Sequence, residues 1–450
     1  MSKHLVSLVR YEEPEKSVRR AIELCQGLKN LPRRAKVFIK PNVVFWTKQI
    51  NWPKWGVITT SRVVEDVVRL LAEHGVAEMA LGEGIITFKP KDKLTVAHAF
   101  EQLGYNQLKA KYGLKVYDLF ERPFRKVDLG GLKLNISAEA LDCDFLVNLP
   151  VLKTHAQTVV SLGIKNLKGL LDIPSRQRCH NLDPVNHLHA IIARLADPLP
   201  KGLTLIDGIF TLERGPIFNG QARRSNLLIA SSDTLSADLV GAAALGHSPD
   251  RVPHLVQAAR NHNRPADLSS VELKGENLQE VASPHQHAFA FNQTGTLSQL
   301  MESLGIQGLA YRRFDDTLCT YCSIFNGMVM AMIAKAWQER PWPGVEILNG
   351  KAMQASPGYA KTILLGKCAY LANRKNPNIK EMIAIKGCPP EPLEVAEALL
   401  KAGVMVDKAA FANVEALPHL AQDRYAGQPG FDPAFFTLSG KKVDQPREAC

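Results

Sequence analysis

Apolar residues follow two periods along this chain. Short unbroken runs, such as Val37-Phe-Ile ahead of Lys40-Pro41-Asn42, alternate with stretches where apolar residues recur every three to four positions, as from Ser61 to His74 before Gly75. The first pattern reads as a buried strand and the second as an amphipathic helix with a glycine stop. Ala77 to Leu81 is a second short run, which completes a strand–helix–strand unit and implies a parallel sheet. Further strands are expected at Lys115 to Tyr117, Phe145 to Asn148, Leu203 to Ile206 and Leu227 to Ala230, with helices near His187 to Leu195 and Leu235 to Leu245. The polar segment from Pro265 to Thr294 reads as a connection. Beyond it, Val345 to Leu348, Lys361 to Leu365 and Met382 to Ile385 are strand candidates, and Pro392 to Leu400 a helix stopped by Gly403. The expected fold class is α/β: an open, mostly parallel sheet domain over residues 1–264, a connecting segment over 265–294, and a smaller cysteine-bearing α/β domain over 295–450.

Composition narrows the setting. A chain of 450 residues is too long for one ordinary core. The first ten residues hold too short an apolar stretch for a signal peptide, and Met328 to Ala334 is far too short to span a bilayer. A cytoplasmic protein without a membrane span is expected. The net charge of +11 raises the question of acidic partners. Such partners are nucleic acid, a membrane surface or an acidic redox protein; basic residues are scattered, with no arginine-rich arm or aromatic-interleaved basic stripe, which speaks against nucleic acid, and an acidic redox protein such as a ferredoxin is the expected partner.

Cysteine spacing points to a metal centre. Of eight cysteines, four lie between residues 319 and 388: Cys319 and Cys322 in C-T-Y-C, Cys368 in G-K-C-A and Cys388 in K-G-C-P-P. Four thiolates can close a metal site, and a C-x-x-C pair with a further cysteine before proline is a frequent setting for iron–sulfur ligation. Zinc is the alternative, since a Cys₄ set also suits tetrahedral zinc. Ligand softness, and a second pair split into single cysteines past strand ends, favour a [4Fe-4S] cluster. Cys25, Cys143 and Cys179 lie in apolar or isolated settings and read as buried thiols, and Cys450 as a loose terminal residue.

A second constellation occupies the ends of the earlier runs. It comprises Lys40-Pro41-Asn42, Gly82-Glu83-Gly84, Asn148-Leu149-Pro150 with Lys153-Thr154-His155, the segment Gly163-Ile-Lys165-Asn166-Leu-Lys168-Gly169, Asp207-Gly208, and Asp233 with Asp238. Strand ends of a parallel sheet share one edge, so Lys40, Asn42, Lys153, His155, Lys165, Asn166 and Lys168 are expected to line one basic crevice for a small anionic ligand, a carboxylate or phosphate. His155, Lys153 and Lys165 are the acid–base candidates there. Asp233 reads as the cap of the helix at Leu235. No phosphate-binding loop, dinucleotide turn or nucleophile elbow is present, which removes support for ATPase, Rossmann oxidoreductase and serine hydrolase chemistry.

Together K-P-N, G-E-G, N-L-P-V-L-K-T-H, G-I-K-N-L-K-G, D-G-I-F-T-L-E-R-G-P-I-F-N-G and A-S-S-D-T-L-S-A-D resemble domain-of-unknown-function family 362, from Val37 to Gly246. Many of its members end in a cysteine-bearing segment with G-C-P-P, matched at Gly387 to Pro390. The resemblance implies an iron–sulfur protein with no settled reaction. Some members carry an inserted ferredoxin domain, which this chain lacks, so a single cluster is implied. The expected function is electron transfer, or redox chemistry coupled to a small anionic ligand. The alternatives are a non-redox enzyme on a carboxylated or phosphorylated metabolite with a structural metal site, and a scaffold for a redox complex.

Overall fold

In the computed structural model, which describes residues 3–49, 51–88 and 92–439, the chain forms two compact units. The first gathers residues up to 175, residues 189–287 and the described residues from Ala421 onward; the second holds residues 176–188 and 288–420. The linear split expected from the sequence runs differently, because the chain enters the second unit twice and returns to the first. Cys450 lies outside the described residues.

In the first unit the strands are β1 (His4–Arg10), β2 (Lys36–Pro41), β3 (Glu78–Glu83), β4 (Lys115–Asp118), β5 (Phe124–Asp128), β6 (Lys133–Ser137), β7 (Phe145–Leu149), β8 (Val151–His155), β9 (Val159–Ser161), β10 (Gly202–Glu213), β11 (Gln221–Ser231) and β12 (Val271–Gly275). Ten of them form one sheet along the path β12-β1-β11-β10-β7-β2-β3-β4, with β8 beside β10 and β9 beside β8, while β5 and β6 make a separate hairpin. From β10 to β4 every neighbour along the path is parallel; β11 is antiparallel to both of its neighbours, and β12 runs parallel to β1 at the rim. The central strands β2 and β7 are buried at every position after Lys36, as strands covered on both faces of a parallel sheet are. Chain order turns at this pair: after β2 the path goes outward through β3 and β4, then returns to β7 on the other side and continues to β10. Such a reversal opens a crevice at the carboxyl ends of the two strands.

The helix Ser61–His74 lies as expected, ended by Gly75 in the left-handed region. Strands β10 and β11 extend well past the runs seen in the sequence, forming a long hairpin with a bulge between Gly208 and Phe210. Part of the segment read as a connection is β12, paired with β1. The returning residues pack aromatic side chains on this unit. Tyr425 and Phe431 meet Trp55, and the Arg224 guanidinium lies over Phe210 and Phe435.

The second unit has a four-stranded parallel sheet in chain order: β13 (Leu309–Tyr311), β14 (Val345–Leu348), β15 (Lys361–Leu365) and β16 (Glu381–Ile385). Helices Thr320–Lys335 and Lys367–Asn373 provide two of the crossovers, and Pro392–Ala402 follows β16, stopped by Gly403. Leu348, Leu364 and Ala369 pack together as part of its core.

Candidate functional site

The carboxyl edge of the small sheet collects the four cysteines. Cys319 is the residue capping helix Thr320–Lys335 and Cys322 lies in its first turn. Cys368 and Cys388 each follow their strand by three residues, and β15 and β16 are parallel and in register, Leu365 opposite Ile385. Their two loops are joined, since the Lys367 N–H donates to the Gly387 carbonyl (3.1 Å). The segment entering Cys319 is tied to the end of β14: the Lys351 N–H donates to Thr317 Oγ1 (2.7 Å), and Asn349 Nδ2 to Asn326 Oδ1 (2.8 Å). The thiols feel one another. Contact with Cys319 raises the Cys322 pKa well above the ordinary thiol value, helped by burial and by Cys388 and Cys368. Burial first, then Cys319, also raises Cys388, against the opposing pull of Lys367 and Lys351. Among the described residues no three His, Cys, Asp or Glu side chains are grouped as a metal-ion site needs. Cys25 and Cys179 are buried, and burial raises the thiols of Cys25 and Cys143 to about 11 and about 12.

In the first unit, the reversal between β2 and β7 is filled by the protein's own polar groups. The Lys40 ammonium, at zero exposure, donates to Glu83 Oε2 (2.7 Å) and to the Pro41 carbonyl (2.7 Å). Glu83 also accepts from the N–H groups of Val43 and Gly84. Gly169 allows this approach, because a Cβ there would lie 2.6 Å from Glu83 Oε1 and 2.7 Å from Lys40 Nζ. Asn166 Nδ2 donates to Asn148 Oδ1 (2.8 Å) and to the Lys40 carbonyl, and its Oδ1 accepts from Asn42 Nδ2 (3.0 Å). The crevice is therefore bridged. Over it, Lys153 Nζ donates to Asn42 Oδ1 (2.6 Å), the Val57 carbonyl (2.6 Å) and the Pro216 carbonyl (3.2 Å). Burial pushes the Lys153 pKa down to about 7, yet three acceptors for three N–H groups suit the charged ammonium.

Lys40, Asn42, Lys153 and Asn166 thus belong to one network, and it is interior rather than open. Lys168 is buried and Lys165 half-buried in the same turn region. His155 ends β8, its Nδ1 accepting from the Gln157 N–H (3.1 Å). Asp233 caps the helix Thr234–Ala244 through Ser236, as expected, and pairs with Arg264. Asp238 accepts from the N–H groups of Gly163 and Ile164, and burial raises its pKa to about 7. Sequence reasoning singled out Glu83 at a strand end but not its pairing with Lys40, and it missed Thr59 altogether. Thr59 Oγ1 accepts from the Asn42 N–H and donates to the Leu149 carbonyl, tying the ends of β2 and β7, and nothing in its T-T-S setting announces that. The pairing was detectable, because Glu83 ends β3, which runs parallel to β2 with Lys40 next to its last residue. A cavity of about 850 Å³ opens at the opposite ends of β7 and β10, lined by Asp144, Gly202, Asp197, Asp233 and Arg264.

The sheet and its bridged reversal define an α/β protein, and the family described as "Domain of unknown function (DUF362)" matches residues 37–243. The resemblance read from the motifs holds over that span, while the match says nothing of iron or sulfur. The chain is 27% identical to a thylakoid-associated protein of Synechocystis sp. over 263 residues, 57% of this chain and 78% of that relative. Among solved structures, the lactate racemase apoprotein from Thermoanaerobacterium thermosaccharolyticum aligns with 17% identity over 55% of this chain, at a TM-score of 0.34. A Thermotoga maritima protein aligns with 15% identity over 50% of this chain, at a TM-score of 0.25. This chain spans 58% of the length of each of those two structures. No helix among the described residues is long and apolar enough to cross a membrane.

Proposed function

We propose that the second unit holds a [4Fe-4S] cluster on Cys319, Cys322, Cys368 and Cys388, and that the protein is an electron-transfer protein with an acidic redox partner such as a ferredoxin. The carrying observation is that Cys368 and Cys388 follow neighbouring parallel strands by the same offset and Cys319 and Cys322 stand at the start of the helix after β13, with burial and the neighbouring thiols raising the pKa of Cys322, Cys368 and Cys388. Four mutually repelling thiolates are a poor arrangement by themselves, and a cationic iron core reverses the sign of that interaction. The donor set is soft throughout, which suits iron–sulfur or zinc and not magnesium or calcium. When bound, the cluster would supply a one-electron couple. The chain's own part is to hold the four sulfurs on rigid strand and helix ends and to bring Lys351 and Lys367 near them.

A small anionic ligand in the first unit, the other half of the reading, would have to displace Glu83 from Lys40 or enter beside Lys165 and Lys168. The four cysteines are the better-supported centre. Anaerobic purification followed by iron, sulfide and zinc analysis tests it: about four iron and four sulfide per chain, and a brown protein that bleaches on reduction, are expected. A colourless protein with one zinc would replace the cluster by a structural metal and return the function to a non-redox enzyme. Each of Cys319→Ser, Cys322→Ser, Cys368→Ser and Cys388→Ser should lower iron content, and Cys25→Ser should leave it unchanged.

A further inference from the structure

We infer that the exposed rim around Cys388 is the docking surface for the acidic redox partner, an inference that rests on the cluster reading above. Cys388 is exposed, whereas the other three cysteines are half-buried, so this rim brings the proposed centre nearest to solvent. The charged side chains bearing on the Cys388 thiol, apart from Cys319, are Lys367 and Lys351, both basic. Lys367 is exposed on the loop joined to Gly387, and the exposed Lys386 carries its ammonium 4.7 Å over the Tyr370 ring. Leu371 stands 50% exposed one helical turn past Cys368 and adds a small apolar contact beside these charges. Glu391 and Glu394 lie at the start of the next helix, Glu394 with its carboxylate beside Gly387, so that flank of the rim is acidic and the basic flank is the one formed by Lys367 and Lys386. Electron-transfer encounters are small and weak, so a patch of this size is sufficient when its charge complements the partner's. The step is simple: one electron leaves the reduced partner and enters the oxidised cluster, with no bond made and no proton required.

The test uses the anaerobically purified full chain and a reduced plant-type [2Fe-2S] ferredoxin as the acidic probe. The double variant Lys367→Gln with Lys386→Gln should lower the second-order rate of cluster reduction about tenfold at low ionic strength and flatten its salt dependence. Iron content should stay as in the wild type, and the midpoint potential, which the Lys367 charge beside Cys368 can move, is measured so that its share of the rate change is known. The control variant Lys375→Gln with Lys380→Gln removes the same charge from exposed sites preceding β16, at the other edge of the sheet, and should change the rate little. An unchanged rate and salt slope in the first variant overturns the docking surface, as does an equal fall in both variants, which would assign the steering to net charge. A shift in potential that accounts for the whole rate change overturns it too, because the lysines would then act on the cluster. A wild-type protein without iron or sulfide fails the underlying reading before any rate is measured.

Discussion

Lys40 and Glu83 form an ion pair with almost no exposure, and such a pair is worth most when its loss is counted one partner at a time. Removing one charge leaves the other buried without its counter-ion, which costs about 3–5 kcal/mol, whereas replacing both by apolar groups of similar volume is far milder. Glu83→Gln is therefore expected to destabilise the first unit by about that amount in urea unfolding, and Lys40→Met with Glu83→Leu by less than the single change. Equal losses would mean the pair contributes through packing alone. Asp66 offers a titration test in the same unit. Burial raises its pKa from 3.8 to about 6, although it accepts from the Glu15 N–H. The folded state then holds the proton more tightly than the unfolded one, so the stabilisation is complete below about pH 3.8 and is lost as pH rises through about 6. Relative to Asp66→Asn, the wild type should lose up to about 3 kcal/mol between pH 4 and pH 7.5, read by urea midpoints at both pH values.

At the scale of elements, the runs with sharp edges were legible. β14 and β15 begin and end where the strand candidates Val345 to Leu348 and Lys361 to Leu365 do, because glycine and polar residues flank an almost wholly buried strand. β12 was not legible: Val271-Glu-Leu-Lys-Gly is an edge strand with half-exposed positions, and its pattern matches a loop. The cysteine edge was readable because parallel strands end alike, so equal offsets past β15 and β16 imply neighbouring side chains. The convergence of Lys40, Asn42, Lys153 and Asn166 was readable for the same reason. Their burial was not, since it depends on Glu83, Thr59 and the carbonyls of Val57 and Pro216, which arrive from three other segments. Gly169 belongs to this scale, as the turn that leaves room for the pair. Gly169→Ala should cost about 1–3 kcal/mol in thermal or urea unfolding through overpacking, and it should leave iron content unchanged.

For the whole molecule, separate cores predict separate responses. If the cluster cross-links the ends of β15, β16 and the helix Thr320–Lys335, iron removal by chelation should lower the unfolding midpoint of the second unit while that of the first stays where it was. Differential scanning calorimetry of holo and apo protein reads both, and a matching shift of the two transitions would show that the metal does not act on one unit alone. The returning segment bears on a different property, the order in which the protein is made. Trp55 Nε1 donates to the carbonyl of Asp432, 377 residues later, Tyr425 Oη accepts from the Ala222 N–H, and Ser439 bonds Glu65. On the ribosome these contacts form last, after all of the second unit has been translated. The large sheet is then held as an unfinished intermediate for most of synthesis, with Trp55 and Phe210 lacking their aromatic cover, so nascent chains stalled before Ala421 are where chaperone demand should peak.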